Sequence, residues 1–273
     1  MIMKNVIETD KVGNKFFRLN GVFHRSNDLP AVIMFSGHKE WYKNGKLHRD
    51  NGNPAIEYGT GSKEWWINGK LHRGNDLPAR ISSCGSKFWY KNGLIHRDND
   101  KPAEVQVCGL KGWYINGKHN RENDKPAIVF RDQKSWFKNG ITYRENGKPT
   151  FISDEYKHWY VNNKRHRGDD LPAVINSDGR KEWWIKGRRH RDDGKPAIER
   201  ADGSKEWVVN GNFHREDGLP AIDVMTKTYW YKNWWVNGEL HRDDGPAVEG
   251  SDEFKKWFLK GIEYTEEEFN KRR

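Results

Sequence analysis

Eight of the eleven histidines in this 273-residue chain fall at one register of a repeating pattern: His24, His48, His72, His96, His166, His190, His214 and His241. A row of imidazoles could ligate metal, respond to protons, or hold turns by hydrogen bonding. Zinc needs its imidazoles within about 2.1 Å of a single point, and positions one unit apart cannot converge that way. The row is therefore expected to be structural, each ring packed in a turn with one nitrogen hydrogen-bonded; a pH-responsive surface is the alternative. Arginine usually follows the histidine, as at Arg49, Arg73, Arg97, Arg191, Arg215 and Arg242, with an acidic or amide cluster after it, as in Arg49-Asp50-Asn51 and Arg191-Asp192-Asp193. Guanidinium and carboxylate repeated in this way predict a row of Arg–Asp bridges that fixes each loop against the next unit. The competing reading is a basic stripe holding an anionic polymer or phospholipid headgroups. A formal charge of +10 permits that stripe without demanding it, because 39 Asp and Glu are interleaved with the basic residues.

Other chemistries find less support. The Asp-Gly-x-Pro segments never reach the Asp-x-Asp-x-Asp-Gly-x5-Glu spacing of a calcium loop, and no Gly-x-x-x-x-Gly-Lys-Ser, Gly-x-Ser-x-Gly or His-Glu-x-x-His occurs. Catalysis needs a unique, asymmetric site, whereas almost every polar residue here is one copy of many. No catalytic residue, metal or cofactor is expected, and the chain reads as a non-enzyme. Cys84 and Cys108 occupy the same slot of adjacent units. Equivalent positions of stacked hairpins lie about 9–10 Å apart, beyond the roughly 7 Å reach of a disulfide, so two free thiols are expected.

Departures from the repeat discriminate best. Between Pro220 and Asn237 the chain carries Tyr229-Trp230-Tyr231-Lys232-Asn233-Trp234-Trp235, a half-duplicated aromatic motif. A bulge or longer hairpin is the simplest structural account, and exposed Trp and Tyr beside Lys would suit a partner-binding hot spot formed by Tyr229, Trp230, Tyr231, Lys232 and Trp235. A milder departure runs through Asn120, Tyr143, Thr150 and Asn163, where the array is expected to bend.

The elements that position these residues follow from the unit itself. All ten prolines, from Pro30 to Pro246, share one slot, and a tight-turn dipeptide such as Asn44-Gly45 or Asn68-Gly69 recurs at spacings of 23 to 27 residues. Tryptophan stands three residues before it at Trp41, Trp65, Trp89, Trp113, Trp136, Trp159, Trp183, Trp207, Trp234 and Trp257, with Phe17 in the first unit. The unit reads Lys-x-Trp-aromatic-x-Asn-Gly-x-x-His-Arg-x-Asp-Gly-x-Pro-Ala, followed by a short apolar stretch. That stretch, as in Ala31-Val32-Ile33-Met34-Phe35, predicts one strand. Lys63-Glu64-Trp65-Trp66-Ile67 predicts a second, closed by an Asn-Gly turn of type I′ because both residues tolerate positive φ. Two strands per unit would put Trp65 and Ile67 on one face and Trp66 on the other, with the His-Arg to Pro-Ala loop covering one ring stack.

Such a ribbon suits a chain with only 34% hydrophobic residues but 13% aromatics, since each unit buries a thin layer against its neighbours. Eleven units at about 9–10 Å each would make a rod on the order of 100 Å long. Thr265 and Glu268 form a capping box beside Tyr264 and Phe269, predicting a helix over 266–272 that closes the array. Residues 1–15 read as a lead-in, 16–263 as the array and 264–273 as the cap. No apolar run is long enough for a transmembrane helix. The start lacks the basic head and apolar stretch of a secretory signal, which with so few cysteines predicts an intracellular setting.

Units such as Glu64-Trp65-Trp66-Ile67-Asn68-Gly69-Lys70-Leu71-His72-Arg73, with Pro78-Ala79 after them, resemble MORN-type repeats over residues 16 to 269. His-Arg stands where that family has His-Gly, and Pro-Ala where it has a later glycine. The chain is most similar to variant arrays encoded by large DNA viruses, which would place it in host cytoplasm or virion. The resemblance implies an all-β, elongated array of about eleven hairpin repeats, used as a protein–protein interaction scaffold, with association to anionic phospholipid or nucleic acid as the alternative. It transfers no catalytic residue.

Overall fold

The computed structural model describes residues 5–272. The chain is an all-β array of short antiparallel hairpins ending in one helix. It divides into two compact units, one up to Gly140 and one from Ile141.

In the first, strand Asn5–Thr9 pairs antiparallel with Lys15–Leu19, so the lead-in supplies an edge strand. The sheet then advances two strands per repeat: Val32–Ile33 pairs with Lys39–Glu40, which pairs with Ile56–Glu57, then Lys63–Glu64, then Arg80–Ile81. The same alternation continues to Ile128–Phe130 and Gln133–Ser135. In the second unit it runs from Phe151–Ile152 and Tyr156–His158 to Val248–Gly250 and Lys255–Leu259.

The repeat holds four short strands, not the two expected. The continuous strand Lys63 to Ile67 is interrupted at Trp65: Lys63–Glu64 belongs to the sheet, while Trp66–Ile67 pairs with Lys70–Leu71 in a separate hairpin. The tryptophan backbone serves both. Its N–H donates to the Ala79 carbonyl at the end of the same repeat at 2.8 Å, and its own carbonyl accepts from His72 N–H at 2.9 Å. A corner at that point abolishes the strict alternation of a strand, so Trp65 and Ile67 do not share a face. Trp65 is 6% exposed, Ile67 42%.

The Asn-Gly turns adopt the anticipated geometry, with φ of 51° at Asn68 and 77° at Gly69. The core is a row of tryptophans between alanines: Ala31, Ala55, Ala79 and Ala103 are fully buried in one unit, and Ala173, Ala197, Ala221 and Ala247 in the other. The second aromatic slot is only half-buried, as at Tyr42, Trp66, Tyr90 and Trp184. The array closes on helix Glu266–Arg272. Thr265 Oγ1 accepts from Glu268 N–H at 3.2 Å, Thr265 N–H donates to Glu268 Oε2 at 2.9 Å, and Phe269 is buried beneath them.

Candidate functional site

Each loop from His-Arg to Pro-Ala lies over the tryptophans and is locked to them. Trp41, Trp65, Trp89, Trp113, Trp136, Trp159, Trp183, Trp207 and Trp234 are 5–8% exposed, whereas Trp257, in the last repeat, is half-buried. Their indole N–H groups reach back to the preceding loop, Trp41 donating to Asp28 O at 3.0 Å and Trp65 to Gly52 O at 2.8 Å. The acceptor residue sits in the left-handed region, φ 54° at Asp28 and 69° at Gly52. Only Gly, Asn and Asp visit that region readily.

The arginine of the same repeat lies flat on the tryptophan. Guanidinium carbons sit 3.8 Å from the ring centroid for Arg49 over Trp41, Arg73 over Trp65 and Arg97 over Trp89. In the second unit Arg191, Arg215 and Arg242 stack on Trp183, Trp207 and Trp234 at 3.7, 3.5 and 3.8 Å. One edge of each guanidinium is tied down, Nη1 donating to the carbonyl of the following proline, five residues on from Arg49 to Pro54 and Arg73 to Pro78 and four on from Arg242 to Pro246. The other edge, Nε with Nη2, makes the expected bridge in Arg49, Arg97 and Arg191. Its partner is the left-handed Asp of the preceding repeat, Asp28, Asp76 and Asp170 respectively, in bidentate pairs of 2.6–3.1 Å. Arg121 grips Asp100 likewise. These partners lie 21 residues back, and the acidic residue adjoining the arginine does something else: Asp50 meets His48 Nε2 at 2.8 Å and Lys43 Nζ at 3.0 Å. Lys101 and Lys125 add second cations to Asp76 and Asp100. Hydrogen bonds from Arg97 and Lys101 hold the Asp76 carboxyl well below the usual carboxylate range, and those from Arg121 with Lys125 bring Asp100 to about 2.

His48, His96, His190 and His214 use both ring nitrogens where one was expected, whereas among the described residues His72 bonds through Nδ1 alone and His166 Nδ1 is buried without a partner. Nδ1 accepts the turn N–H of the following repeat, Asn68 to His48 at 3.1 Å and Asn210 to His190 at 3.2 Å, while Nε2 faces Asp50 or Asp192. The adjacent turn glycine bonds the same preceding hairpin, Gly69 N–H to Leu47 O at 2.8 Å. Two consecutive N–H groups are thereby held by one neighbour.

The milder departures are substitutions that preserve hydrogen bonds. Asn120 replaces histidine, and its Oδ1 accepts from Asn139 N–H at 2.9 Å. Where Tyr143 replaces histidine, Asn163 and Thr142 exchange bonds of 2.8 and 3.0 Å. Thr150, in the alanine slot, is 4% exposed and accepts from Tyr160 N–H.

The irregular segment forms a longer hairpin, Ile222–Met225 with Trp230–Asn233. Tyr229, Trp230 and Tyr231 are exposed at 50%, 38% and 36%, and the two tyrosine rings stack at 6.3 Å. Lys232 is half-buried between Asp223 and Glu249 across the sheet. Trp235 is not part of this patch: it lies in the next hairpin, its ring 5.6 Å from Phe213. Shallow clefts repeat between loops, one of about 190 Å³ bordered by Asn51, Gly52, Trp65, Trp66 and Arg73, another of about 210 Å³ bordered by Asp100, Trp113 and Arg121. Cys84 and Cys108 are free and exposed; Ser82 and Ser86 hydroxyls on its sulfur bring the Cys84 thiol down to about 7. Among the described residues, no helix is long and apolar enough to cross a membrane. No family model and no curated protein matches the chain.

The sequence reading missed the roles of Asp28, Asp76, Asp100 and Asp170. The signal was present in the second loop residue after each Arg-x dipeptide, which is Asp in some repeats and Gly in others.

Proposed function

We propose that this chain is a non-enzymatic scaffold that presents an array of hairpins to a protein partner. The observation that carries the reading is the aromatic surface of Tyr229, Trp230 and Tyr231, solvent-exposed in a chain whose repeat tryptophans are otherwise covered. Large amphipathic rings exposed as a consecutive cluster are the side chains that dominate protein interfaces. An anionic polymer is the less favoured ligand, because Arg49, Arg97, Arg121 and Arg191 are each neutralised by a carboxylate of the same chain. Capture of partners by the wild type and by a Trp230→Ala/Tyr231→Ala variant tests the reading. Loss of specific partners from the variant supports it; identical recovery from both, or retention on anionic vesicles or DNA that weakens steeply with salt, removes it.

A further inference from the structure

The arginines of the loop row divide into two kinds. Arg49, Arg97, Arg121 and Arg191 have the Nε/Nη2 edge filled by Asp28, Asp76, Asp100 and Asp170 of the preceding repeat. For Arg73, Arg167 and Arg215 that preceding position is glycine, Gly52, Gly147 and Gly194. All three still stack on their tryptophans, at 3.8, 3.9 and 3.5 Å, and still donate Nη1 to Pro78, Pro172 and Pro220. Among the described residues no carboxylate bonds their Nε/Nη2 edge. Arg242, also preceded by glycine, instead takes its own Asp244 at 2.7 Å.

The vacancy is a space as well as a missing charge. A Cβ built on Gly52, Gly147 or Gly194 meets nothing within 4 Å. Burial without a partner pushes the Arg73 and Arg167 guanidinium groups below their ordinary range, while Asp28 raises Arg49; at Arg215 burial dominates and Asp223 offsets part of it. A second substitution accompanies the first. Four residues after Arg97, Arg121 and Arg191 stand Lys101, Lys125 and Lys195, whose ammonium groups share the same carboxylates at 2.7–2.9 Å. At that register after Arg73, Arg167 and Arg215 stand Leu77, Leu171 and Leu219, each 43–45% exposed.

We infer that Arg73, Arg167 and Arg215 are preformed receptors for carboxylates of a partner polypeptide, in which acidic side chains alternate with apolar ones that meet the neighbouring leucines. A planar fork locked on an indole loses little entropy on binding and matches a carboxylate bidentately. Exchange of Lys for Leu sets apolar surface beside each open fork, which suits an acidic-apolar peptide rather than a phosphate polymer. This deepens the scaffold reading above and rests on it.

The test uses the full chain and a fluorescein-labelled hexapeptide of alternating Glu and Leu, with a Gln–Leu peptide, inorganic phosphate and a single-stranded oligonucleotide as comparators. The key variant is Gly52→Asp/Gly147→Asp/Gly194→Asp. It keeps every arginine and installs the carboxylate that Asp28, Asp76, Asp100 and Asp170 carry at φ of 51–54°. The fold is therefore expected to hold, with a urea midpoint close to that of the wild type. The expected result is binding of the Glu–Leu peptide, weaker by about tenfold or more in the triple variant, the factor that loss of a charge-assisted hydrogen bond implies. Arginine Nε–H resonances of residues 73, 167 and 215 should move on titration while those of 97 and 191 stay. Equal binding by the triple variant, equal binding of the Gln–Leu peptide, or perturbation by phosphate or oligonucleotide alone overturns the assignment. If the triple variant retains partners that Trp230→Ala/Tyr231→Ala loses, the forks fail as receptors while the scaffold reading stands.

Discussion

Two substitutions at the two ends of one bridge separate what the arginine does as a stacked cation from what it does as a bridge. Asp76→Gly removes the carboxylate held by Arg97 at 2.6 and 3.1 Å. That carboxylate is 41% exposed, so water screens the pair and its loss is worth about 1 kcal/mol. Asp76 has φ of 54°, and glycine at such a position relieves strain of roughly 1 kcal/mol. The two contributions nearly cancel, and Asp76→Gly is expected to shift stability by no more than about 1 kcal/mol. Arg97→Ala also loses the bond to Pro102 O at 3.1 Å and the stack on Trp89 at 3.8 Å. A hydrogen bond from a charged donor adds about 1.5 kcal/mol and a half-desolvated cation–π contact about 1–2 kcal/mol, which with the bridge makes a total of about 3.5–4.5 kcal/mol. Urea unfolding followed by tryptophan emission measures both. Amide exchange at Trp89 and Ala103 adds a local readout, because neighbouring repeats can open separately. The bridge also carries a pH signature. Asp76 titrates below its ordinary value of 3.8 when folded, so its stabilisation is complete above that value and lost as pH falls through the lower folded one. If Asp76→Gly costs as much as Arg97→Ala at neutral pH, the bridge and not the stack holds the loop, and the reasoning is refuted.

Ala103 is fully buried in the row between tryptophans, so Ala103→Leu is expected to destabilise by at least about 1–3 kcal/mol through overpacking; an unchanged thermal midpoint would contradict that. His158 lies among Phe151, Tyr156 and Tyr160, and burial brings its imidazole from 6.5 down to about 4. The unfolded chain takes the proton first, so stability should fall as pH drops from about 6.5 to 4, by on the order of 1–3 kcal/mol. His158→Phe should flatten that slope, and parallel wild-type and variant pH curves would count against it. Cys84, with a thiol near 7 and hydroxyls at 3.0 and 3.4 Å, should be alkylated by iodoacetamide with a rate midpoint near that pH. Ser82→Ala should raise that midpoint, and an unmoved midpoint would show that the hydroxyl is not its cause.

The repeat, its all-β class, the turns and the cap were legible because each rests on local chemistry. Asn68-Gly69 tolerates positive φ wherever it is placed, and Thr265 with Glu268 caps a helix across three residues. The half-duplicated motif at Tyr229–Tyr231 likewise announced a longer hairpin, because extra residues in a fixed register must go somewhere. Trp235 was misplaced with it, since adjacency in sequence passes through the Trp234 corner and so puts the ring in a different hairpin.

What the sequence determined by itself is the unit and the identity of each slot, because turn propensity and aromatic periodicity act within a few residues of chain. The corner at each tryptophan, the choice of Asp28 over Asp50 as partner of Arg49, and the open forks of Arg73, Arg167 and Arg215 were decided by tertiary structure. These depend on stacking one repeat on the last, which brings a guanidinium to a residue 21 positions back and leaves its fork filled or empty according to whether Asp or Gly stands there.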